Sequence, residues 1–475
     1  MKSPSVRIVI LIMAIGLFLR GGTPVSFGEE DRLFRYESLA DGTVAITGFE
    51  EDFQGGGFLK IPSEIRGKEV TVIAAQAFRN QGIQGVDLPQ GLRRIEGYAF
   101  MENHIEGLDL PETLEFIGES AFGYNRLRTI SIPASVKTIE FWAFRKNEIE
   151  EIAFAPGLET IGSGAFRGNQ LTTLGLPEGL RKIESFAFDN NRLERVVIPD
   201  TLKSIGAGAF RGNQLEKIRL PEGLQTLEEG AFINNRLEKV VFQGRLQKIP
   251  PKTFTNNAIE EILFPEGLET VGEGAFQYNE LRTLALPSGV KQVEAFAFHS
   301  NNITEVNLPQ SLQSIGEFAF RDNQILELRL PSGVEEVRRG AFMSNHLEGL
   351  KLSEGLRHIS ANGFRDNRLK EVTLPETLES LGRYAFYLNP VEKITLPEGL
   401  RGAVELKDVI GDTAQEAEEP RRGEEEEEEE TALGWASLWQ RYRNLFRGVT
   451  FLMILLGTGI LGRYFYREIR GRPKD

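Results

Sequence analysis

Apolar side chains recur through most of this chain with a period of 22 residues, and phenylalanine marks the period. Phe78, Phe100, Phe122 and their successors run through to Phe386, fifteen in all, without a slip. Counted from each Phe, apolar residues fall five, eight, ten, fourteen and seventeen places on, as Leu215, Ile218, Leu220, Leu224 and Leu227 follow Phe210. The second half of L-x-x-L-x-L alternates, which predicts a short strand with one face turned to a core. A fixed period of this length predicts a solenoid, each coil burying its apolar face against its neighbours. The expected architecture over residues 77–403 is therefore about fifteen 22-residue coils with a parallel β-sheet on the concave face and little α-helix.

The polar positions fit the same plan. Proline follows most strands at once, from Pro89 to Pro397, and since it cannot donate to a ladder it stops the strand and turns the chain. Asparagine recurs three places after the Phe from Asn103 to Asn389. Its amide carries donors and acceptors on a short stem, suited to satisfying backbone groups turned inward at a coil corner. A column of amides could also bind glycans, but its place beside buried leucines favours the internal role. Two places before the Phe, Tyr98, Trp142, Phe186, Phe296, Phe318 and Tyr384 alternate with glycines such as Gly164, Gly208 and Gly340. Large beside small at a corner reads as packing; stacking on sugar rings is the other reading.

One coil cannot stand alone. About six large apolar side chains contribute roughly 1.5 to 3 kcal/mol each, against roughly 1 to 2 kcal/mol of backbone entropy per ordered residue. Stacking and caps must tip the balance, which predicts an N-terminal cap or irregular first coil over 29–76 and a C-terminal cap near Val404 to Ile410.

The ends add export and anchoring. Lys2 and Arg7 precede an apolar run from Ile8 to Leu19 and small residues through Gly28, the layout of a signal peptide over 1–28. Cleaved, or retained as an anchor, the segment exports the repeats. Residues 404–432 form an acidic linker with seven consecutive glutamates, Glu424 to Glu430, read as a solvated spacer. Trp435, Leu438, Trp439, Tyr442 and Phe446 then fall at helical spacing, predicting an amphipathic juxtamembrane helix over 433–447.

Gly448 to Gly462 is uncharged and bracketed by Arg447 and Arg463. It is short for a span, about 22 Å as helix, but its apolar flanks extend it, and a single transmembrane helix is expected over 448–466, a small buried helix being the alternative. The basic tail 467–475 is expected in the cytoplasm, leaving the repeats on the extracytoplasmic side at the cell surface or in a periplasm.

Net charge is −14, which argues against nucleic acid as a partner. Cysteine is absent, which removes disulfides, thiolate nucleophiles and Cys-based metal sites. His104, His299, His346 and His358 are widely separated with no metal-ligand spacing, and the glycines follow the 22-residue period rather than any phosphate-cradling motif. No catalytic, cofactor or metal residue is assigned, and an envelope hydrolase is disfavoured.

The unit A-F, N-x-L, L-x-L-P and G-L-x-x-I-G, in that order, resembles the bacterial surface leucine-rich repeats of the BspA type over about residues 34–402. Gly42 to Gly48 and Leu59 to Ile65 look like that family's irregular first coil. Ala155, Gln243 and Ser353 depart from its proline, and Thr253 and Gly363 from its alanine. The resemblance implies a leucine-rich repeat solenoid and a non-catalytic surface protein that attaches to host matrix or to other cells. No conserved site comes with the motif.

Partner contact is sought on the strand's outward positions, seven and nine places after the Phe. At nine, Val197, Val241 and Leu263, bordered by Arg219, Arg329 and Lys351, form the candidate patch, since apolar residues rimmed by charge mark interfaces. Strand propensity alone also accounts for a valine there. Two function classes follow. One is a membrane-anchored adhesin binding an extracellular or envelope protein; the other is a structural envelope spacer or self-associating scaffold.

Overall fold

The computed structural model describes residues 33–50 and 56–411. Three sets of hydrogen bonds run between successive coils, and each arises from a different part of the 22-residue unit.

The corner comes first. In coil after coil, the residues two before and two after the Phe take left-handed backbone, as Phe186 at φ 59° and Asn190 at φ 54° flank Phe188. This turns alternate N–H groups along the stack: Phe186, Phe188 and Asn190 donate to the carbonyls of Ala207, Ala209 and Arg211, each at 2.8 Å. All fifteen period-marking phenylalanines are fully buried inside this corner. Consecutive rings lie 5.3 to 5.7 Å apart and within 23° of parallel. Hydrogen-bonded coils repeat about every 4.8 Å, so slightly larger centroid distances mean offset stacking, the arrangement the ring quadrupole favours.

The asparagines lock that corner. Asn213 Oδ1 accepts from the Leu193 N–H at 3.0 Å, and its Nδ2 donates to the carbonyls of Phe188 and Phe210, both at 3.0 Å. The same three bonds recur from Asn103 to Asn389. The amide is therefore an internal tie between coils, turned away from any ligand.

The strand anticipated after the Phe is present, as in Lys217–Leu220, with inward and outward residues alternating. It pairs in parallel with its copy 22 residues on, Lys217 beside Lys239 and Arg219 beside Val241. From Thr129 onward these pairings come in groups of two or three strands rather than one continuous sheet. The continuous ladder lies elsewhere, in two-residue strands built on the end of G-L-x-x-I, from Arg94–Ile95 to Thr226–Leu227 and again from Lys248–Ile249 to Ser380–Leu381. Most coils thus carry two strands where the pattern predicts one, while the coil of Phe100 keeps only Phe116–Ile117. A two-residue strand is too short to display the alternation by which strands are read.

The ends are closed. An antiparallel hairpin, Phe34–Ser38 with Val44–Phe49, sets Phe34 and Phe49 against Phe78 at 6.1 and 4.8 Å between centroids. At the far end the short helix Leu406–Ile410 buries Val409. The N–H groups of Tyr384 and Phe386, which have no further coil to meet, donate to the carbonyls of Asp408 and Val409 at 2.6 and 3.0 Å. Among the described residues no helix is long and apolar enough to cross a membrane. The signal segment, most of the acidic linker, the juxtamembrane helix, the span and the basic tail lie outside the described residues.

Candidate partner-binding surface

Strand geometry places every second side chain on one face. In Lys217–Leu220 the side chains of Lys217 and Arg219 face solvent while Ile218 and Leu220 enter the core. Because the register advances by one whole coil, the ninth positions stack into a column: Gly175 lies beside Val197, Arg219 beside Val241, and Val241 beside Leu263. Val197 is 74% exposed and Leu263 57%, the most solvated large aliphatic side chains among the described residues, while Val241 is half-buried between its neighbours.

Arg329 and Lys351 pair with each other in the same column. The rungs of Ala285 and Asn307 stand between them and Leu263, which at about 4.8 Å per rung puts Arg329 roughly 14 Å away. The structure therefore brings together Val197, Arg219, Val241 and Leu263, and leaves Arg329 and Lys351 as a separate basic pair. The nearer basic border consists of Arg195, Lys217 and Lys239, two residues before Val197, Arg219 and Val241 on the same strands and the same face. Of these, Lys239 is tied to Glu261 at 2.6 Å. Reading the seventh position alongside the ninth reveals these three in the sequence itself.

Elsewhere the surface is occupied by packing. A Cβ built on Gly164 would stand 2.4 Å from the Trp142 ring, and one on Gly340 would stand 2.3 Å from the Phe318 ring. Trp142 and Phe318 thus lie over the glycine of the next coil, while Phe296 stacks on Phe318 at 5.2 Å. Asp189, fully buried, sits between Arg167 Nε at 2.8 Å and Arg211 Nε at 2.9 Å, tying three coils together. His299 Nδ1 lies 3.1 Å from the Arg321 carbonyl, and His358 Nδ1 lies 2.9 Å from Ser380 Oγ, so these two rings serve separate local contacts. Among the described residues no group of three or more His, Asp or Glu side chains could hold a metal ion.

The repeat matches the model of the BspA type leucine-rich repeat region, in six copies, over residues 71–193, 181–304 and 291–403. The chain belongs to this family. Proteins built of such repeats generally bind other proteins, and the family is a scaffold rather than a catalytic class.

Among solved structures, this BspA-type chain is similar to a leucine-rich repeat protein from Bacteroides ovatus, 19% identical, covering 80% of this chain and 89% of that one with a TM-score of 0.49. It is also similar to the pneumococcal vaccine antigen PcpA, 18% identical, covering 76% and 96% with a TM-score of 0.45. A leucine-rich repeat protein from T. pallidum is 23% identical, covering 45% and 89% with a TM-score of 0.28. None of the three reaches a TM-score of one half, so membership rests on the repeat match. No curated protein matches the chain.

Proposed function

We propose that this BspA-type protein is exported, anchored by residues 448–466 in a membrane, and uses its solenoid on the extracytoplasmic side to bind a protein of the envelope, of host matrix or of another cell. The observation that carries the reading is the column of Val197, Val241 and Leu263 in a basic setting of Arg195, Lys217, Arg219 and Lys239. Exposing apolar side chains in adjoining rungs has a free-energy cost that a covering partner removes. The basic border favours a partner that brings carboxylates.

The test has two arms. Protease added to intact cells should remove residues 33–411 and leave a C-terminal remnant; full protection of the repeats would contradict the topology. Matrix proteins and foreign cells should then be captured by cells displaying the chain and not by cells displaying the double variant Val197→Asp, Leu263→Asp. Equal capture by a folded double variant would remove the patch, and self-association without capture would favour the scaffold reading.

A further inference from the structure

One junction interrupts the two-residue ladder. At most junctions of the two-residue ladder, the N–H that follows the strand donates to the preceding coil, as Gly206 does to Ile183 at 2.8 Å, Glu228 to Ile205 at 3.0 Å and Gly272 to Ile249 at 2.8 Å. In the coil of Phe232 that position is Pro250, which has no N–H to give. On either side of the junction, Gln225 and Thr226 donate to the Lys203 carbonyl, and Glu269 and Thr270 to the Gln247 carbonyl. The corresponding bonds from Gln247 and Lys248 to the Gln225 carbonyl are not made; those facing Glu115 and Gln313 are missing too, but there Ile139 stays paired with Ile117 and Val337 with Ile315, whereas here the ladder stops at Thr226–Leu227 and restarts at Lys248–Ile249. This is the one break in that ladder among the described residues.

The coil is not displaced as a whole. Its outward strand sits in the middle of the three-stranded group Lys217–Leu220, Lys239–Phe242 and Glu261–Leu263. Its corner is bonded too, Gly230 and Phe232 donating to Pro251 and Thr253 at 3.0 Å. Only one edge opens, and it opens onto a cleft of about 830 Å³. Leu246 lines that cleft with Leu224 and Leu227. In every other described coil the apolar residue fourteen places after the Phe is buried; Leu246 alone is half-exposed. Lys203, Arg245 and Lys248 also line it, against the carboxylates of Glu222 and Glu266. Arg245 is held by Glu266 and Lys248 by Glu294, while Lys203 makes no ion pair among the described residues.

An occupant must therefore offer three things at once. It needs donors for the carbonyls of Gln225 and Leu227, two residues apart on one strand edge, and acceptors for the N–H groups of Gln247 and Lys248 on the facing edge. It also needs an apolar group for Leu246. Unpaired strand edges are templates for an extended chain, and only a peptide backbone repeats donor and acceptor at that spacing. We propose that this cleft binds an extended segment of a partner protein as an added strand, with an aliphatic side chain on Leu246 and a carboxylate at Lys203. The site is separate from the outward Val197 column and does not depend on that patch binding anything.

Hydrogen exchange on the full chain tests this, with a short capped peptide of alternating valine and glutamate as probe and the same peptide N-methylated at alternate amides as control. The unmodified peptide should slow exchange at Gln247 and Lys248 by about ten-fold, and the N-methylated one should not. No slowing, or equal slowing by both, overturns the proposal. Pro250→Ala restores the missing donor and should close the ladder, protecting Gln247 and Lys248 without peptide and abolishing the peptide effect. Should that variant fail to fold, the paired peptides on the unaltered chain still decide. Val197→Asp should leave the peptide effect intact, so failure here and failure of the outward patch are read separately.

Discussion

Phe186 lies over Gly208: a Cβ built on Gly208 would stand 2.6 Å from Cε1 of the Phe186 ring. The contact explains why aromatics and glycines alternate two places before the period-marking Phe. Gly208 also sits at φ +58°, where glycine is at ease. Gly208→Ala should cost about 1 kcal/mol for left-handed backbone plus about as much again for the clash. Denaturation of Gly208→Ala, Phe186→Ala and the double variant should give a coupling energy in which the double costs less than the sum. Strict additivity would mean that the ring is not what demands the glycine.

Asn213 satisfies three buried backbone groups in two coils, the Leu193 N–H and the carbonyls of Phe188 and Phe210. Asn213→Ala strands the Leu193 N–H, while the Phe188 and Phe210 carbonyls each keep a second amide donor, from Asn191 and Asn235. A loss of about 1 to 3 kcal/mol by denaturation is expected for the one buried group left unpaired. Asn213→Asp should be no better, since a carboxylate has nothing to donate to two carbonyls. A loss below 1 kcal/mol for either variant would show that water replaces the amide.

Phe210 stacks between Phe188 and Phe232 at 5.5 and 5.4 Å. Phe210→Ala should cost about 3 to 5 kcal/mol by removing ring and contacts together. In a stack where each coil touches only its neighbours, weakening one interface uncouples the two sides. The single unfolding transition should therefore separate into two, followed by exchange in coils before and after residue 210. One unchanged cooperative transition would count against nearest-neighbour coupling.

Asp189 holds Arg167 and Arg211, whose side chains keep about a third of their exposure while the carboxylate is fully covered. Asp189→Asn removes the charge and leaves two guanidinium groups facing each other. The expected loss is about 2 kcal/mol, less than for a wholly buried pair because the arginines still reach water. Arg167→Ala should cost less than Asp189→Asn, since Arg211 keeps the carboxylate paired. The reverse order in denaturation would contradict this division of roles.

Much of the solenoid is legible in the spacing of Phe, Asn and Leu, because these residues report burial and turn chemistry, both of which are local. The outward column is legible too, since alternation about Ile218 assigns Arg219 a face. The nearness of Val241 and Leu263 follows from the same period. Arg329 and Lys351 stand three and four rungs beyond Leu263 in that column, a spacing that counting outward positions alone does not display. The basic border of Arg195, Lys217 and Lys239 needed both outward positions read together.

Periodicity by itself determined that this chain stacks coils, which side chains enter the core, and that it belongs among the leucine-rich repeats. Only the tertiary structure decided which backbone edges meet. Hydrogen bonds between coils depend on carbonyl and N–H directions, and a list of side chains does not carry these. That is why the two-residue ladder escaped the pattern and why Pro250, one proline among 21, turns out to open an edge.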